Sequence, residues 1–414
     1  MVLGALTEIK SCEVCGNREL HRVLDLGNHP MCDDLVPLND TRVCKEYPID
    51  ILYCDRCRTA HQHFQIPKHK LFPPTYHYRA RHTVDVLNGM QDLVAVCDEK
   101  LGSLQGKRVL DIGCNDGSLL TFFRDKGALT FGIEPTGAAA DAIERGHVVL
   151  NEFLTSAVAQ RFVSEFNRPD VITFTNVFAH IEDLADVVRS LKILSHSGTL
   201  LVIENHYLGA VIEKNQFDTF YHEHPRTYSY TSFSYIANSL GMHIATVEFP
   251  IRYGGNIRVL MQMSNSTSAK HDRWDEIYAR EASFETGLVN LAAKVETWRV
   301  KKRFELDTAV AAHGKLAAKA FPGRAAILIK LLQLDESMIS AVYEKPTSGK
   351  IDHFVPGTRI PIRSDDEFFA KSAVGPVVNL AWHIAAEIHS YMRDHGYSGE
   401  FIDIISPRDF VDNR

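Results

Sequence analysis

The chain has 414 residues, 45% hydrophobic and 23% charged, enough to bury more than one core and to build two or three domains. A net charge of -7 and a pI near 6.3 provide no broad basic field for a nucleic-acid backbone, although a local patch could still hold a phosphorylated small molecule. No apolar run reaches the ~18 residues of a membrane span, and the N-terminus lacks a charged region followed by an apolar core, so a cytoplasmic location is expected.

Residues 1 to about 75 are rich in Cys, Pro, Asp and Asn, with a β-like run Ile49–Tyr53 leading into a Cys-x-x-Cys pair. Two such pairs, Cys12/Cys15 and Cys54/Cys57, supply the four thiolates of tetrahedral Zn2+. The 38 residues between Cys15 and Cys54 exceed the usual ribbon spacing, so the metal would staple a sizeable loop. Four thiolates leave no open coordination position, which makes the site structural, and in a module this small the metal supplies folding energy. The other four cysteines, Cys32, Cys44, Cys97 and Cys114, are scattered, which fits a reduced compartment better than a disulfide scaffold.

Apolar positions Val84, Val86, Leu87, Met90, Leu93 and Val94 predict a helix ending near Gly102. A strand Arg108–Ile112, a glycine turn, a helix Leu119–Phe123 and a strand Leu129–Ile133 ending at Glu134 then form a βαβ unit. Further strands over 170–175 and 198–204, with a helix over 184–194, imply a doubly wound sheet. The charged stretch from 269 to about 306 reads as a bridging helix. After it, strands over 315–320, 338–343, 377–382 and 401–405 and helices over 325–334 and up to 392 suggest a second α/β sheet.

In Asp111-Ile-Gly-Cys-Asn-Asp-Gly117 the glycines let the chain turn sharply after a strand and approach a ligand closely. The third glycine of a dinucleotide fingerprint and a phosphate-binding Lys-Ser/Thr are both missing. With the acid at the next strand's end, the loop resembles motif I of class I methyltransferases that bind S-adenosylmethionine. The resemblance implies a cofactor site at Asp111, Gly113, Asn115, Asp116 and Gly117, with Glu134 on the ribose hydroxyls and Asn176 facing the methionine moiety. A generic α/β fold using the same residues in turns is the alternative, and Cys114 reads as a small loop residue.

The segment Gln216-Phe-Asp-Thr-Phe-Tyr-His-Glu-His-Pro225 is dense in polar groups that are costly to bury unless paired or functional. Together with the cysteine pairs, Asn176-Val-Phe-Ala-His180, Tyr253-Gly-Gly-Asn-Ile-Arg-Val259 and Val355-Pro-Gly-Thr-Arg-Ile-Pro361, it is similar to the bacterial C-methyltransferases of nucleotide-linked keto-deoxysugars, with the C-3' enzymes of antibiotic sugar pathways the best match. The resemblance spans nearly the whole chain. It implies an α/β protein of three parts: a zinc-binding module (1–80), a class I methyltransferase Rossmann-like domain (81–265) and a C-terminal Rossmann-like α/β domain (266–414). It further implies a monomer whose partner is a small-molecule substrate, a nucleotide-activated keto-sugar.

By the same resemblance His224 is the base that takes a proton from the carbon beside a ketone, with Tyr221, Glu223 and Tyr76 orienting it or stabilising the enolate oxygen, and His180 contributing. Tyr78 competes with Tyr76 for its role. His222 reads as pointing away if the stretch is extended. The chain departs from the family pattern at Ala320-Phe-Pro-Gly-Arg324, where a glycine-rich loop is common, and at His383 after Trp382. Both departures leave open a different small-molecule acceptor for the same methyl donor.

Overall fold

The computed structural model describes residues 6–73, 76, 79–82, 84–263, 272–371 and 375–411. Tyr78 and the start of the expected bridging helix, residues 269–271, lie outside them. The chain folds into two compact units. One contains residues 1–21, 52–211 and 223–285, and the other 22–51, 212–222 and 286–414.

The first unit is organised by a seven-stranded sheet of β1 (Arg108–Ile112), β2 (Leu129–Ile133), β3 (Val148–Leu150), β4 (Val171–Thr175), β5 (Leu200–His206), β6 (Met242–Glu248) and β7 (Asn256–Met263), in the order β6-β7-β5-β4-β1-β2-β3. β7 runs antiparallel to both neighbours, while the β5-β4-β1-β2-β3 run is parallel. Near-continuous burial of β1, β4 and β5 reflects a sheet covered on both faces. On one face the helix Val84–Leu101 sets Val86, Met90, Leu93, Val94 and Cys97 against Val109, Val171, Leu200 and Val202. The chain leaves β1 for β2 and β3 on one side and returns through β4 and β5 on the other. The gap between the carboxyl ends of β1 and β4 is therefore the topological switch point where open α/β sheets bind ligands.

The N-terminal part of this unit holds the cysteine turns and the strand Thr59–Gln62, which pairs antiparallel with Arg226–Thr227. The helix Tyr230–Leu240 follows, with a Ser229/Ser232 capping box at its start and left-handed Gly241 at its end.

The second unit carries a parallel sheet of β8 (Leu316–Lys319), β9 (Ile339–Glu344), β10 (Ile362–Ser364), β11 (Val377–Asn379) and β12 (Phe401–Asp403), ordered β10-β9-β8-β11-β12. The expected bridging helix is two helices, Asp272–Glu281 and Phe284–His313, separated at Ala282 and Ser283. Trp298 of the longer one is fully buried and donates from its indole N–H to the Ile404 carbonyl at 2.9 Å. The strand His21–Pro30, which the sequence did not signal, lies almost wholly in this unit, and its mixed burial explains why no clean alternation marks it.

Ala320 leaves β8 with φ +61°, a left-handed conformation that costs an alanine about 1 kcal/mol. Ala320→Gly should therefore raise the urea midpoint, corresponding to a gain in unfolding free energy of up to about 1 kcal/mol after the greater freedom of glycine in the unfolded chain is subtracted. An unchanged or lower midpoint would remove the strain at this turn.

Candidate active site and metal centre

The two cysteine pairs sit in tight turns of the same design. Gly16 N–H reaches Cys12 O at 2.8 Å and Arg58 N–H reaches Cys54 O at 2.9 Å, and both Gly16 (φ +74°) and Arg58 (φ +57°), which follow the second cysteine of each pair, are left-handed. The four Sγ atoms of Cys12, Cys15, Cys54 and Cys57 lie within 4.8 Å of one another, with Cys12 and Cys57 at 3.3 Å and Cys15 and Cys54 at 3.6 Å. Tetrahedral zinc with bonds of ~2.3 Å needs sulfurs ~3.8 Å apart, so the donor set fits the ion. Outer partners are in place as well: Asn17 Nδ2 is 3.7 Å from Cys54 Sγ and Thr59 Oγ1 is 3.0 Å from Cys57 Sγ.

At the switch point, the loop after β1 is shaped by internal packing. Gly113 (φ +70°) has Val177 over it, so closely that a Cβ would lie 2.6 Å from a valine methyl. Gly117 (φ +75°) is crowded likewise by His147 and Ala142. Glu134 accepts from Asn115 N–H at 3.0 Å on one oxygen and from Thr136 N–H (2.8 Å) and hydroxyl (2.6 Å) on the other. A carboxylate has about four acceptor sites, and three of them are used here.

Asn115 and Asp116 turn toward the preceding segment. Asn115 Oδ1 accepts from Ala80 N–H at 3.0 Å, and fully buried Asp116 accepts from Arg81 N–H at 3.1 Å and the Ser118 hydroxyl at 2.6 Å. Asn176, left-handed at φ +55° after β4, is held by Asn256 Nδ2 at 3.2 Å. Asn256 in turn donates to Glu204, which also pairs with Arg252 and Arg258. This buried charge network was not visible in the sequence, because its members are scattered over 54 positions. Asp111 accepts from Thr173 Oγ1 at 2.7 Å across the β1/β4 ladder, and burial raises its carboxyl to about 7.

The structure brings Tyr76, His180, Glu223 and His224 together. Tyr76 OH donates to Glu223 Oε2 at 3.2 Å, and His180 Nδ1 donates to Glu223 O at 2.8 Å. The His180 and His224 ring centres are 4.8 Å apart. Burial lowers His180 to about 4, so its ring is neutral near pH 7. A residue the sequence reading missed, His206, stacks obliquely on His224 at 5.3 Å. Its place at the carboxyl end of β5 was the available signal. Neighbouring Asn205 is buried with neither amide atom hydrogen-bonded among the described residues. Tyr221 is half-buried and falls in the second unit, as does His222, which donates to Tyr47 O at 3.1 Å.

Family models match in three consecutive stretches: a zinc binding domain over residues 12–72, a methyltransferase domain over 81–247 and a C-methyltransferase C-terminal domain over 252–405. The chain is an S-adenosylmethionine-dependent methyltransferase. This methyltransferase is similar to the C-methyltransferase NovU of Streptomyces niveus, with 28% identity over 395 residues covering 92% of this chain and 91% of that one. A ubiquinone biosynthesis O-methyltransferase of Acinetobacter baumannii (strain ACICU) is 34% identical over 106 residues, 24% of this chain and 44% of its own length. Among solved structures, the magnesium protoporphyrin IX methyltransferase of Synechocystis PCC 6803 with bound SAH matches at 19% identity and a TM-score of 0.35, covering 44% of this chain and 84% of that one.

Two outcomes follow from the metal turns and the β1/β4 ladder. Elemental analysis should find near-stoichiometric zinc in the wild type and little in Cys54→Ser, with a lower unfolding midpoint; equal zinc in both would remove the tetrathiolate site. Folded Asp111 keeps its proton up to about pH 7, whereas the unfolded chain releases it near pH 4, so stability falls as pH rises through that window. Asp111→Asn should flatten the dependence, by about 2–4 kcal/mol between pH 4.5 and 7.5 in urea titrations. An unchanged slope would mean that Asp111 titrates normally.

Proposed function

We propose that this enzyme is a C-methyltransferase acting on a nucleotide-linked 4-keto-6-deoxy sugar, with parts divided as residues 1–80, 81–265 and 266–414. The observation that carries the reading is the buried His224 ring, flanked by His180 and His206 beside the Glu223–Tyr76 hydrogen bond. The full-length likeness to a protein named as a C-methyltransferase supports the choice of carbon.

In this reading His224 removes the proton next to the ketone, the C–H electrons move onto the carbonyl oxygen, and the resulting enolate carbon is the nucleophile. Neutral His180 beside it matters, because a charged neighbour would oppose the positive charge that His224 gains. Tyr76 is placed to donate toward developing negative charge or to fix Glu223. Bound S-adenosylmethionine supplies an electrophilic methyl group. Asp111, Gly113, Gly117, Glu134 and Asn176 frame its seat, while Asn115 and Asp116 hold the loop to residues 80–81. Tyr221 is assigned the orienting role that the family resemblance implies.

A second reading keeps the methyl donor and changes the acceptor. The observation favouring it lies in the second unit, where Arg324 of the unusual turn is bound by both oxygens of Asp218 at 2.6 and 2.7 Å, and Trp382 Nε1 donates to the same carboxylate at 2.9 Å. A guanidinium already paired in this way is a poor anchor for a sugar diphosphate.

Incubation with S-adenosylmethionine and a panel of nucleotide keto-sugars should yield one acceptor heavier by one methyl group in mass spectra. A panel without product, alongside methylation of another small metabolite, would establish the second reading. His224→Asn should lower turnover at least about a thousandfold while keeping calorimetric affinity for S-adenosylmethionine, and should abolish solvent deuterium exchange beside the ketone. Turnover within tenfold of wild type would sink the base assignment.

A further inference from the structure

Arg226 is completely buried two residues after His224, and its hydrogen-bond and ion-pair partners among the described residues lie in the first unit. Its Nη1 pairs with Glu13 Oε2 at 2.5 Å, and Glu13 stands between the zinc-ligand positions Cys12 and Cys15. Its Nε donates to Tyr228 OH at 3.0 Å. Its Nη2 donates to the Ile181 carbonyl and, at 3.3 Å, to the Glu182 carbonyl, directly after His180. The fork therefore grips the cysteine turn with one arm and the His180 loop with the other, from a backbone that also carries His224.

The same backbone is sewn to the cysteine module. Arg226 and Thr227 pair with His61 and Ala60, and Gln62 N–H donates to Pro225 O at 2.9 Å. The same Glu13 oxygen that pairs with Arg226 also accepts from Gln65 Nε2 at 2.8 Å, with His61 Nδ1 3.7 Å away. At the other end of the module, the Thr59 hydroxyl lies 2.8 Å from Ser232 Oγ, in the cap of the helix that follows.

We propose that Arg226 is a positioning residue, through which the order of the zinc-bound cysteine turn sets the relative placement of His180 and His224. The inference rests on His224 being the base. It gives the metal centre a part in arranging the reacting groups as well as in folding. A guanidinium is suited to the task because one rigid planar group bonds a carboxylate and two carbonyls at once, which a lysine cannot do.

The experiment uses full-length zinc-loaded enzyme with Arg226→Lys and Glu13→Gln. Histidine-labelled samples report the ring signals of His180 and His224, assigned with His180→Asn and His224→Asn. Both variants should keep stoichiometric zinc and bind S-adenosylmethionine within about threefold of wild type, while both ring signals move. With the acceptor identified by the keto-sugar panel, kcat should fall at least about thirtyfold with little change in KM, and the double variant should be no worse than the poorer single one, because both act through one contact. If Arg226→Lys fails to fold, Glu13→Gln is read by the same criteria.

Unshifted ring signals would overturn the proposal. So would a loss of activity matched by equal loss of zinc or cofactor affinity, which would mark Arg226 as a general packing element. The two readings fail separately: an active His224→Asn removes the base, whereas an inactive His224→Asn beside an unaltered Arg226→Lys removes only the clamp.

Discussion

Four thiol groups within 4.8 Å of one another are stable as thiolates only around a cation, and much of the first unit is arranged about that requirement. The two cysteine turns share one backbone solution, and the strand that follows them pairs with the segment just after His224. Metal binding in such a module is folding free energy, so the ladder that reaches the histidine cluster inherits its rigidity from the ion. Buried ion pairs seldom add stability over well-packed apolar groups. Glu13 and Arg226 are then better understood as fixing one arrangement of the chain than as holding it folded.

The proposed cofactor seat obeys a different constraint. Its glycines are required less by an incoming ligand than by Val177 and His147, which already press on the loop. Asn115 and Asn176 take left-handed conformations that asparagine tolerates, at the ends of the two strands that border the switch point. Glu204, with two arginines and Asn256 around it, stabilises the second of these positions from below. The seat is thus largely formed by contacts within the protein.

Much of this was legible in the sequence because it is local. Cys-x-x-Cys spacing, the Asp111–Gly117 turn and the apolar runs of β1, β2 and β4 each carry their signal within a few residues, and the helix over 184–194 begins and ends where its pattern does. What could not be read depends on distant partners. Glu13 looks like any exposed acid between two cysteines, and Arg226 like any arginine after a histidine motif. Only folding places their charges 2.5 Å apart. The Tyr221–His224 cluster also reads as one piece, yet the division between the units falls after His222, because His222 is held by Tyr47 while Glu223 is held by Tyr76 and His180. Polar strands such as His21–Pro30 give no alternation to detect.

The unusually long interval between the two cysteine pairs acquires a different meaning from this partition. Residues 22–51 belong to the second unit, so the chain departs from the metal module soon after Cys15 and re-enters it just before Cys54. They are, in effect, a guest segment whose two junctions are clipped together by the ion. Lengthening a closed loop costs little additional entropy, so the long interval between the pairs adds little to the cost of closing the metal site.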